Sequence, residues 1–324
     1  MSAIAQGAIS DHAAFYWHLG DFRAIYDFDQ DYKQAAGSGV TIDKYEREAW
    51  DDFIQNQLSY FGSMPVFLAM GNHETIAPKT RDRFIQQFGD WLATPLLRTQ
   101  RLQDDANDHL VKTYYHWIQG GVDFITMDNA TADQFDDNQL GWFEKVLSNA
   151  ASNAAVRSVV VGMHEALPDS LSAGHSMNDS AQGTVSGRRA YHDLVEFEKT
   201  GKHVYVLASH SHFYLEDVYN TACRKDQKME VLPGWIVGTA GATWLRPPKN
   251  PGSGKVLHDV YGYLVGTVFP DGQIQFSFRP VSTADVPAQV KTKYGDLVDR
   301  CFSGNASNKS TYSPEGPASP PNCP

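Results

Sequence analysis

Four short apolar runs, at 15–19, 65–70, 156–163 and 204–208, each stop at side chains able to bind a metal. The stops are Gly20-Asp21, Gly71-Asn72-His73-Glu74, His164-Glu165 and Ser209-His210-Ser211-His212. An apolar run of this length bounded by turn formers reads as a buried strand running into a loop. Between the first two, 40–60 sets Ile42, Tyr45, Ala49, Phe53 and Leu58 at helical spacing, with acidic and amide residues between them. The alternation recurs: 122–127 is strand-like, 139–147 helical, 156–163 strand-like, 191–198 helical and 204–208 strand-like. Strands alternating with helices predict an α/β fold, which collects polar residues at strand C-termini.

Beyond His212 the texture shifts to short β pieces at 235–239, 262–269 and 273–278, the last two joined by Pro270-Asp271-Gly272. Apolar content thins from about 283, and the end is rich in Ser, Pro and Asn. One domain over 1–282 is expected, followed by an extension over 283–324 that ends in a tail too poor in apolar residues to fold alone.

Composition removes several classes of function. A net charge of -11 argues against a nucleic-acid surface, yet suits phosphate chemistry in which bound cations reverse the local potential. No apolar stretch approaches the ~20 residues of a membrane span, and MSAIAQGAIS lacks the pattern of a signal peptide. Cys223, Cys301 and Cys323 form no C-x-x-C pair; a Cys301–Cys323 bridge would fit an oxidising compartment. No G-x-S-x-G elbow presents a nucleophilic serine. The acidic cluster Asp104, Asp105, Asn107 and Asp108 lacks the alternation and central glycine of a calcium loop and reads as solvated surface. His18 and His116, within aromatic strands, read as core histidines bonded to backbone.

Carboxylate, amide oxygen and imidazole together suit zinc, manganese, iron or similar ions. Singly, each residue has a plainer reading: Asp21 as a turn former, His164 as a loop cap. His210 and His212 would share a side in a strand, but in a turn they can diverge toward two ions.

Taken in order, GDF, GNHE, GMHE and SHSH resemble the calcineurin-like metallophosphoesterase superfamily, whose pattern is D-x-H, G-D, G-N-H-[DE], a lone His and G-H-x-H. The resemblance runs from Phe15 to about Val281. It extends to YYHWIQGGVDFITMD and QLGWFEKVL before the lone His, and to YGYLVGTVFPDGQIQF as a closing hairpin. It implies a four-layer, two-sheet α/β sandwich with helices outside, and hydrolysis of a phosphomonoester or phosphodiester of unspecified identity by a hydroxide shared between two divalent ions, drawn from manganese, iron or zinc. Asp21 would bridge both ions, Asn72, His164 and His210 would complete the second, and His212 would bind the first. His73 would sit beside the scissile phosphate as general acid. Glu74 and Glu165 are candidates to orient imidazoles or to face water. The stretch 168–189, with His175, Arg188 and Arg189, is expected as a solvated loop; together with Asn72 and His73, His175 and Arg188 are candidate substrate contacts.

The sequence departs from that pattern in two places. No D-x-H occurs before Asp21, and Asp11-His12 has the wrong spacing. A parallel strand–helix–strand unit takes ~30 residues, so the first strand is expected upstream of Met1. The first ion would then keep only Asp21 and His212. A second reading therefore stands beside hydrolysis: a frame that holds one ion or none and serves as a binding or regulatory module. Ser209 replaces the glycine that usually precedes the paired histidines.

Overall fold

The structure, a computed structural model, describes residues 1–308 apart from 28, 30, 31, 34, 35, 38, 78, 173–175, 227, 243, 246 and 249. Helix α1 (Ser2–Ser10) leads into strand β1 (Tyr16–His18), which pairs in parallel with β2 (Val66–Leu68). Helix α2 (Ile42–Asn56) connects them, started by the Thr41 hydroxyl, which accepts from the Lys44 N–H. Its buried stripe is Tyr45, Ala49, Trp50 and Phe53. Ile42 falls off that stripe and is 53% exposed, while Leu58 lies beyond the helix in a tight turn over Leu58–Phe61.

Helices α3 (Arg81–Leu92) and α4 (Pro95–Asp104) precede a seven-stranded sheet. It is built from β3 (Tyr115–Gln119), β4 (Val122–Thr126), β5 (Ser158–Met163), β6 (His203–Ala208), β7 (Tyr214–Glu216), β8 (Gly234–Val237) and β9 (Val256–Leu257). Their order is β3-β4-β5-β6-β8-β7-β9, with β4, β5, β6 and β8 mutually parallel. Period-two alternation sorts the side chains of these strands between two cores. Ile125, Val159, Val161, Val204 and Val206 face helices α5 (Asp137–Ser152) and α6 (Ala181–Glu198). Phe124, Val160 and Tyr205 face β1, β2 and the outer helices α1 to α4. The hairpin β10 (Tyr261–Val268) and β11 (Ile274–Val281) packs against that second core through Tyr263, Ile274 and Phe276. The layers are thus helix, large sheet, two small sheets, helix: an α/β sandwich of the expected kind.

One boundary differs from expectation. Helix α6 begins at Ala181, so Arg188 and Arg189 are helical and not in a loop. The glycines that suggest a loop serve packing instead: a Cβ on Gly183 would meet the Asp133 carbonyl oxygen at 2.2 Å, and one on Gly187 would meet Pro168 Cδ at 2.4 Å. Within the expected extension, residues Ala288–Asn308 form helix α7. Cys323 lies outside the described residues, as does the end of the tail. Among the described residues no helix is long and apolar enough to cross a membrane.

Candidate metal centre

The four polar loops follow β1, β2, β5 and β6. Pairing of β5 with β6 aligns Met163 with Ala208, and the Ser209 N–H donates to the His164 carbonyl at 2.9 Å, so His164 and His210 emerge side by side. The β1 and β2 loops are pressed even closer. A Cβ on Gly71 would stand 2.2 Å from the Asp21 nitrogen, and Gly20 has φ +94, a backbone state that glycine adopts without the clash a Cβ brings. Asp21 itself sits at φ 57.

Glu74 clasps this junction. It is fully buried and accepts from the backbone N–H groups of Asp21 (2.8 Å), Gly71 (3.0 Å) and Phe22 (3.1 Å). It was a candidate to orient an imidazole, but it holds the two loops together. Burial and the Asp21 charge raise it to about 7.

The donor atoms of the four loops converge. His164 Nε2 lies 3.2 Å from Asp21 Oδ2, 3.0 Å from Asn72 Oδ1 and 2.9 Å from His210 Nδ1. Ligand atoms of Asp21, His164 and His210 all fall within 4.8 Å of one another. His164 Nδ1 is 2.8 Å from the Leu19 carbonyl, which assigns it the N–H and turns Nε2 into the cluster. Burial alone would lower His164, but the Asp21 charge and hydrogen bond outweigh it and raise it to about 9. Asp21 is driven the opposite way: burial opposes its charge, and His164 and His73 hold it well below the usual carboxylate range.

His73 is set apart from this cluster. Its N–H donates to Asp21 Oδ1 at 3.0 Å, and ring Nδ1 stands 3.1 Å from the Arg23 carbonyl. Nε2 is left 3.9 Å from Asp21 Oδ2 on a quarter-exposed ring. Both His73 and His212 line the cavity onto which the cluster opens, with His164 and His210.

The sequence from residue 3 to 214 matches the family model described as calcineurin-like phosphoesterase. The chain belongs to that family.

A solved structure similar to this phosphoesterase-family chain is a purple acid phosphatase, PPD1, from yellow lupin (Lupinus luteus) seeds. It shares 18% identity at a TM-score of 0.58, over 86% of this chain and 46% of that one. The chain therefore spans about half the length of that neighbour. Among curated proteins none matches.

The family implies divalent metals, and the donor set fits one. For ligand bonds of ~2.0–2.1 Å at tetrahedral angles, neighbouring ligand atoms stand about 3.3 Å apart, near the 2.9–3.2 Å seen around His164 Nε2. The Asn72 oxygen is the sharper observation. It lies 3.2 Å from both Asp21 oxygens, where only the NH2 group of a rotated amide would donate. Oxygen facing carboxylate is the orientation that a cation between them requires.

Other expected residues divide. His175 lies outside the described residues. The Arg188 guanidinium holds Asp169 through bonds of 2.8 and 2.9 Å. Glu165 is buried and raised to about 8, by burial and by Asp133, while its backbone is latched by Asn129 at 2.8 and 3.1 Å. Sequence reasoning passed over Asn129, although it stands among polar residues at the end of β4. Ser209 proves a contributor: its hydroxyl donates to the Leu19 carbonyl at 2.7 Å, beside His164 Nδ1. His18 is buried among Phe22 and Phe53 and pushed down to about 3 by burial; its Nδ1 has no hydrogen-bond partner, in place of the backbone bond expected. His116 bonds carboxylates, Asp123 at 2.7 Å and Asp104 at 2.6 Å, not backbone. Asp104 is thereby drawn out of the solvated cluster expected for it.

Proposed function

We propose that this chain hydrolyses a phosphomonoester or phosphodiester with a divalent ion held by Asp21, Asn72, His164 and His210. The observation that carries the reading is the convergence of Asp21 Oδ2, the Asn72 amide and His210 Nδ1 within 2.9–3.2 Å of His164 Nε2. When bound, such an ion polarises a phosphoryl oxygen and acidifies water. The protein's own groups do the rest. Asp21 and His164 hold the ligand geometry, and Glu74 keeps the two glycine loops at their close approach. Because His73 Nδ1–H is committed to the Arg23 carbonyl, its imidazolium form carries the second proton on Nε2, which lines the cavity and can protonate a leaving alkoxide.

A second reading has its own support. The compact cluster suffices for one ion, and His212 lies in the cavity outside it. A frame binding a single ion as a regulatory module is consistent with that count. Metal stoichiometry measured beside turnover of an aryl phosphate and a bis-aryl phosphate, with manganese, zinc or iron, separates the two. Metal-dependent turnover supports hydrolysis; a stoichiometric ion without turnover supports the module; metal-insensitive turnover refutes both.

A further inference from the structure

The bond that fixes the His73 ring comes from a backbone carbonyl, that of Arg23, 3.1 Å from ring Nδ1. Which nitrogen of a neutral imidazole carries the proton is set by the partner of the other nitrogen. With no partner the ring favours the proton on Nε2. The place of one peptide group, between Arg23 and Ala24, therefore decides which nitrogen His73 offers to the cavity.

That peptide belongs to no helix or strand, yet it is clamped along its length. Before it, the Phe22 N–H donates to Glu74 at 3.1 Å. At its centre the Arg23 guanidinium forks onto Asp29, Nε to Oδ2 and Nη2 to Oδ1 at 2.9 Å each, while Nη1 stands 3.4 Å from Asp52 of α2. After it, the Ala24 carbonyl accepts from the hydroxyl of Tyr45, also on α2.

Asp29 is the hub of this clamp. It is 6% exposed, and besides the two Arg23 bonds it accepts from the Tyr32 N–H at 3.0 Å and from the Tyr45 hydroxyl at 2.9 Å. A planar fork of two charge-assisted bonds fixes orientation as well as distance, and a carboxylate so buried is stable only while its lone pairs are met. Tyr45 is fully buried; burial and the Asp29 charge raise its hydroxyl well above the ordinary tyrosine value, so it keeps the proton that it donates.

We propose that Asp29 is a positioning residue for His73: with Arg23 and Tyr45 it holds the Arg23 carbonyl where it accepts Nδ1–H, which leaves Nε2 toward the cavity as the atom that holds and gives up a proton. A neutral ring with its proton on Nε2 could not take up another at that atom between turnovers. Helix α2 thereby sets the tautomer of a ring carried by a different loop. The catalytic part of this role rests on the phosphoester reading; the tautomer does not, and is read without turnover.

The test follows the His73 ring nitrogens by heteronuclear NMR in the full chain, metal-free and with zinc, the signals being assigned by their loss in His73→Asn. The neutral native ring is expected to carry its proton on Nδ1. Asp29→Asn removes the charge and keeps the shape, and Tyr45→Phe removes the hydroxyl alone; each is expected to move most of the population to Nε2–H. In both, kcat on an aryl phosphate with manganese should fall about tenfold, short of the hundredfold or more that losing the acid costs, with metal content and KM unchanged. Tyr26→Phe breaks a 2.9 Å bond to the Val40 carbonyl in the same segment and is expected to leave tautomer and kcat as they are.

A native ring with its proton on Nε2 overturns the proposal whatever the variants do. So does an unchanged ring in Tyr45→Phe and Asp29→Asn, or an equal change in Tyr26→Phe, which would mark a general loosening of the segment. Should Asp29→Asn fail to fold, Tyr45→Phe carries the comparison. The expected tautomer changes without turnover in any form would sustain the positioning of the ring and overturn the phosphoester reading instead.

Discussion

At the scale of single residues, the proposed centre would divide labour between side chains that hold an ion and one that faces substrate. Asp21→Asn removes the only carboxylate in the cluster and is expected to weaken metal binding by more than the roughly hundredfold that losing an outer partner of a ligand costs, taking turnover with it. His73→Asn is expected to leave metal content intact while lowering kcat about a hundred- to ten-thousand-fold. Metal analysis beside aryl phosphate kinetics checks both; equal metal loss in the two variants would refute the division. Glu74→Gln sets an NH2 group among three backbone donors and should cost about 1–3 kcal/mol in urea unfolding. Asp21, Asn72, His164 and His210 were legible because each follows an apolar run directly. The work of Glu74 was not, since acceptance of amides 52 and 53 residues away is invisible along the chain.

At the scale of elements, α4 is tied to the β3–β4 hairpin by the buried bridge Asp104–His116–Asp123. Burial would lower His116, but hydrogen bonds to the two carboxylates outweigh it and raise it to about 9. A folded value above the ordinary 6.5 means stability fully present below pH 6.5 and lost as pH rises through 9. At most roughly 3 kcal/mol is at stake. Urea midpoints should fall between pH 6.5 and 9.5 in the native chain, and that slope should flatten in His116→Gln. Helix α6 offers a contrast in glycines. Gly187→Ala forces a methyl against Pro168 and should destabilise by about 1–3 kcal/mol. Gly141→Ala on α5 meets nothing within 4 Å and should stabilise by about 0.5–1 kcal/mol, as thermal melts would show. Composition made 168–189 look like a loop because the same glycines serve turns and close helix packing, and only the facing Pro168 and Asp133 distinguish the two.

At the scale of the whole molecule, a bound ion would belong to the folded state alone, since its proposed ligands come from loops spread between residues 21 and 210. Manganese or zinc at a hundred times its Kd should add about 2.7 kcal/mol and raise Tm by about 5 °C, reversed by chelation and absent in Asp21→Asn. An unchanged melt in the native chain would count against a shared site.

The α/β class, the strand–helix alternation around the polar loops and the candidate ligands follow from the amino-acid sequence, because hydrophobic periodicity and turn residues act over a few positions. Convergence of those ligands on one point needed tertiary structure. The 2.9–3.2 Å spacings arise from the pairing of β5 with β6 and the contact of Gly20 with Gly71, which join segments far apart in the chain. Tertiary structure likewise made Ser209 a partner of the Leu19 carbonyl. A linear pattern specifies which face of a strand is buried; which edges meet depends on how separate sheets pack.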